Sequence, residues 1–96
     1  MKWAIVLYAV MGYASSPQIE TVITWNLKFD SYDECASFYR ANEVVLHSGV
    51  IDHSRKSYNS PNMYVEELGC VHATIVTSIK ENPTLTDFQP LYKKRN

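Results

Sequence analysis

An α+β fold of two layers is predicted, a ββαβ unit in which an antiparallel or mixed three-stranded sheet of order 2-1-3 carries one packed helix and is followed by an extended C-terminal tail. Three stretches of sequence predict it. The run from Trp3 to Val10 is apolar on both faces, as a central strand requires; residues 19–29 alternate, as a half-buried strand does; and "SYDE" at 31–34 spells a helix start directly after them. With 96 residues, 46% hydrophobic and 20% charged, the chain fits a single core and not a disordered polymer. We divide it into one domain over 1–80 and a tail over 81–96 that docks on that domain or on a partner.

In the first strand Trp3, Ile5, Leu7 and Ala9 point one way and Ala4, Val6, Tyr8 and Val10 the other. A lysine, an apolar run and "GYA" before serines also describe a secretory signal, and on that reading the mature chain would begin near Ser15. The β-branched and aromatic content of the run favours a strand, and the run is too short to span a bilayer. Gly12, Ser15, Ser16 and Pro17 supply a connection to the second strand, which sets Ile19, Ile23, Trp25, Leu27 and Phe29 on one face and Glu20, Val22, Thr24, Asn26 and Lys28 on the other.

Ser31 and Glu34 form a capping box, and Asp33 and Glu34 suit the positive end of the helix dipole. From there Cys35, Phe38, Tyr39, Asn42, Val45 and Leu46 recur at spacings of three and four and form the stripe that meets the sheet. The third strand is read over 63–77, "MYVEELGCVHATIVT", with Gly69 as a bulge or a point of close approach. A right-handed crossover from the second strand through the helix places the third strand on the other side of the first. That arrangement brings Cys35 and Cys70 within bonding reach, and a cross-link closing this loop would add about 4 kcal/mol on the chain-entropy model.

"MKWAIV" opening a strand, "KFDSYDEC" passing from strand into helix and "GCV" on a late strand resemble a group of small two-cysteine proteins of phages and proteobacteria to which no activity is assigned. The resemblance extends in outline over about the first eighty residues. It implies the ββαβ layout and a paired-cysteine role for Cys35 and Cys70, and it brings no activity with it. The chain departs from the group in a long polar region, 48–62, and in the tail beyond the third strand.

Those departures are where specificity is expected. Residues 47–62, "HSGVIDHSRKSYNSPN", read as a long binding loop, with a helix extension or a short hairpin as the alternatives. The tail is punctuated by Pro83 and Pro90 yet carries Leu85, Phe88, Leu91 and Tyr92, so it should dock. Phe88, Leu91, Tyr92, Tyr58 and His53 are therefore the candidate partner-binding residues. The seven tyrosines, three phenylalanines and two tryptophans also exceed what one small core easily buries, which suits an interface.

Catalytic patterns are thin, and no catalytic residue is assigned. His47, Asp52, His53 and Ser54 offer the side chains of a hydrolase triad, but adjacency in sequence is not triad geometry, and they read as polar loop residues. Cys70 and His72 could join Cys35 around zinc, but without a C-x-x-C or H-x-x-x-H spacing a disulfide or a pair of buried thiols is the better reading, and His72 becomes an edge-strand residue. No metal and no cofactor are expected. A formal charge of −1 and a pI near 6.3 give no field for nucleic acid or anionic lipid, and "KKR" at 93–95 adds little. The expected function is a non-catalytic interaction or structural module, phage-encoded by the resemblance, using the open sheet face, a sheet edge or the tail. A protein partner or self-association is expected, in the virion or host cytoplasm rather than secreted. The alternative is a ligand-binding or enzymatic domain whose pocket, between paired sheets of a dimer, is lined by Tyr8, Trp25 and His72.

Overall fold

The computed structural model describes residues 3–14, 16–57, 62–74 and 84–94, the stretch 16–19 by its backbone alone. The element order is β1 (Trp3–Tyr13), β2 (Ser16–Phe29), α1 (Tyr32–Ala41), α2 (Glu43–Ser57), β3 (Met63–Thr74) and β4 (Leu85–Lys93). All neighbouring strands are antiparallel, in the order β2-β1-β3-β4. The class is α+β and β1 lies inside the sheet, as its two apolar faces require.

Two features correct the sequence reading. The sheet has four strands rather than three, because residues 85–93, expected as part of the tail, pair with β3. His72 therefore lies on an inner strand and not on an edge, opposite Ile5 on one side and Thr86 on the other. The helical layer has two helices rather than one. α1 closes at Asn42, whose backbone N–H donates to the Phe38 and Tyr39 carbonyls and whose side-chain amide donates to Phe38 O at 2.9 Å. α2 then runs through "HSGVIDHSRKS", a stretch with the composition of a loop.

Local chemistry accounts for both helices. Ser31 Oγ accepts from the Glu34 N–H at 3.2 Å, and the Glu34 carboxylate accepts from the Asp30 N–H at 2.9 Å, one residue before the cap. In α2 Leu46, Val50 and Ser54 recur at four-residue spacing and are buried, while an Asp52–Lys56 ion pair at 3.1 Å lies on the solvent side. Val45, expected on the packing stripe, is instead 71% exposed; the stripe runs through Leu46, and Val45 falls beyond its margin. Ser54 Oγ is buried without a hydrogen-bond partner.

The main core lies between the helices and one sheet face. Leu7, Ala9 and Met11 of β1, Met63, Val65, Leu68 and Cys70 of β3, and Cys35, Tyr39, Leu46 and Val50 of the helices form one buried cluster. Cys35 and Cys70 are joined by a disulfide with Cα atoms 6.3 Å apart, which ties the first turn of α1 to the middle of β3. β3 takes up an extra residue where Val10 pairs with Glu67 and Met11 with Val65, so that Met63 and Val65 stay on the helix side. Gly69 admits the neighbouring strand. A Cβ there would stand 2.3 Å from Gln89 O and 2.7 Å from Pro90 Cα, so β4 can approach only a glycine.

Candidate interaction surface

The opposite sheet face carries a second apolar cluster that no described helix touches. Val6 and Tyr8 of β1 and Val71 and Ala73 of β3 are buried in it, and Val10 and Leu85 pack against it. Strand alternation explains its composition, since β1 must be apolar on both sides to lie inside the sheet. Val22, paired with Val10, extends the strip onto β2 at 48% exposure. Phe88 extends it onto β4 at 45% exposure, edge-on to Tyr8 with ring centroids 4.9 Å apart.

Toward β3 and β4 the polar groups on this face are paired. Tyr8 donates its hydroxyl to the Glu67 carboxylate, which also meets Lys93 at 3.7 Å. Burial, and then the hydrogen bond and charge of Glu67, raise the Tyr8 pKa far above the ordinary phenol value. Tyr64 lies over Gly12, where a Cβ would be 2.8 Å from its ring, and Lys94 stands 3.9 Å above the same ring. The centre of the face is thus apolar, with charge at its two borders, Glu67, Lys93 and Lys94 toward β4 and Glu20 and Lys28 on β2.

The sequence-derived site residues fall in separate places. Phe88 is on the helix-free face, whereas Leu91 and Tyr92 pack onto the helix-side core. His53 is exposed on α2, its ring 3.4 Å from Ser57 Oγ, and Tyr58 lies outside the described residues. Tyr8 belongs to the helix-free cluster and Trp25 to the helix-side cluster, so the sheet separates them. His72 stacks on Trp3 at 4.9 Å. Asp52 pairs with Lys56 and Ser54 is buried, and among the described residues no hydrogen bond joins either to His47 or His53.

Two features on the helix side go beyond the sequence reading. Tyr39 shares a 2.8 Å hydrogen bond with His47 Nε2, and the His47 ring meets Tyr92 of β4 edge-on at 4.8 Å. Burial first, then the nearby Glu43 carboxylate, raises the Tyr39 pKa. Tyr39, Glu43 and His47 lie four residues apart and are legible as one helical face; Tyr92 arrives from a distant strand and is not. The second is a cavity of about 260 Å³ between α2 and β2, lined by Ile23, Thr24, Trp25, Gly49, Val50 and His53. Nothing lies within 4 Å of where a Gly49 side chain would begin, which leaves this groove open.

Among the described residues no group of three metal-ligating side chains occurs, and no described helix is long and apolar enough to cross a membrane. Comparison with family models, curated proteins and solved structures gives no match in any of the three.

Proposed function

We propose that the chain is a non-catalytic protein-interaction or structural module whose working surface is the helix-free sheet face together with the edges that border it. One observation carries this reading: the helices cover one side of the sheet, while Val6, Tyr8, Val10, Val71 and Leu85 form an apolar strip on the other, continued outward by the exposed Val22 and Phe88. Val6, Tyr8 and Val71 are already buried within the chain, so a protein partner meets this face at its exposed apolar borders, Val22 and Phe88. The C-terminal segment acts as the β4 border of the same surface rather than as a separate docking arm. Phe88 is the residue best placed to anchor a partner, being aromatic, half exposed and backed by Tyr8. Of the two locations suggested by the phage resemblance, the virion suits the disulfide, which persists away from reducing cytosol.

A photoreactive amino acid at Val22 or Phe88, compared with one at Asp33 or Lys56 on the helical layer, tests this in the cells that make the protein. Discrete cross-linked products from the sheet positions alone are expected. Equal or absent cross-linking from all positions contradicts the reading.

The groove beside α2 favours a second reading, binding of a small ligand. It holds Trp25 and His53, but its volume is below that of common ligand pockets and only Thr24 and His53 add polar groups. A shift of Trp25 fluorescence during a fragment screen would support it.

A further inference from the structure

We infer that the outer edge of β2 pairs with the same edge of a second copy, related by a two-fold axis at Thr24. The inference rests on the interaction-module reading and names one partner for it. Among the described residues β2 has a neighbour on one side only, and it is the longer edge strand, at 14 residues against 9 for β4. The two edges are guarded differently. β4 carries Pro90, a positive φ of 56° at Asp87, Lys93 and irregular pairing on both sides of Gly69 and Cys70, all of which discourage a further strand. β2 has only Glu20 and Lys28 as charged residues, and its pairing with β1 is irregular at its start, beyond Gly12, and where Val6 to Tyr8 faces Lys28 to Thr24.

Those two charges are self-complementary. Antiparallel pairing about Thr24 sets Glu20 of each copy opposite Lys28 of the other, both on the helix-free face, because they pair with Gly12 and Val6 of β1. Neither is in an ion pair among the described residues. On the helix side the same register sets Trp25 beside the second copy's Ile23 and Leu27 beside its Thr21. Leu27 is 41% exposed and lies outside the core cluster, so the pairing would cover apolar surface that this chain leaves open. The irregularity in β2 falls between Thr24 and Lys28, inside the paired stretch, and its added twist limits the contact to the neighbourhood of Thr24 and the two Glu20–Lys28 pairs.

Sedimentation equilibrium on the purified full chain tests the pairing. The wild-type chain is expected to form dimers, and E20K or K28E alone to weaken them about tenfold or more, since each substitution turns two attractive pairs repulsive. The double variant E20K/K28E restores the dimer. An equimolar mixture of the E20K and K28E chains forms mixed dimers although neither variant dimerises well alone. Circular dichroism melting of each variant shows that the fold is intact. A monomeric wild-type chain at high concentration, a dimer indifferent to the single substitutions, or a double variant without recovery overturns the pairing. Cross-linking from Val22 and Phe88 to a different protein would persist in that event, which separates failure of this edge from failure of the interaction reading.

Discussion

Tyr8 is where the two-sided character of the sheet is most visible in a single side chain. It is fully buried on the face without helices, beneath Phe88, and its hydroxyl is given to Glu67. Its raised pKa has a definite thermodynamic sign. Above pH 10 the unfolded chain releases the phenol proton while the folded chain keeps it, so the stabilising contribution is complete below the unfolded pKa and is lost as pH rises. Tyr32 and Tyr39 are raised in the same direction by burial, so the wild-type chain should lose stability steeply in alkali. Tyr8→Phe is expected to lower stability at pH 7 by about 1 kcal/mol, the value of a typical hydrogen bond. Above pH 10 it should flatten the decline by about 1.4 kcal/mol per pH unit, as measured by urea unfolding from pH 7 to 11. An unchanged alkaline slope would show that Tyr8 titrates normally.

At the scale of elements, what is legible in the sequence depends on whether the deciding contact is local. The capping box at Ser31 and the two-faced pattern of β1 are local, and both elements form where the pattern places them. Beyond Leu46, α2 reads first as a loop and only second as a helix extension because Gly49 and the surrounding serines weaken a helix taken alone, whereas burial of Leu46, Val50 and Ser54 against the sheet stabilises it. β4 reads as a tail because its proline argues against an ordinary strand; an edge strand tolerates it, and Gly69 admits its backbone. The site is legible to a lesser degree. The second apolar face can be read from β1 alone, but its extension to Phe88 and Val22 depends on long-range register. The glycines give two opposite expectations. Gly49→Ala, in an exposed helical turn with open space around it, should stabilise the chain by about 0.5–1 kcal/mol in denaturant unfolding. Gly69→Ala drives a methyl group into the Gln89 and Pro90 backbone, so hydrogen exchange should show β4 amides losing protection while those of β1 remain slow. Equal loss across the sheet would mean that β4 is not a separable border.

Over the whole molecule, a domain of 96 residues has few kcal/mol to spare, and the disulfide supplies a large share. Cys35 and Cys70 are 35 positions apart in sequence, and the link restricts the unfolded chain by about 4 kcal/mol on the entropy model. Replacing both by alanine should lower the unfolding free energy by roughly that amount; a change under about 1 kcal/mol would show that sheet and helices hold without it. The molecule then consists of one closed layer, pinned by the cross-link, and one sheet face still apolar at its borders. Covalent footprinting of Val22, Tyr64 and Phe88, compared between the purified chain and the protein in its own cells, tests that division most directly. These side chains are expected to label readily in the purified chain and to be protected in the cell, with Val44 and Val45 on α2 labelled in both. Equal labelling of the sheet positions in both settings would contradict it.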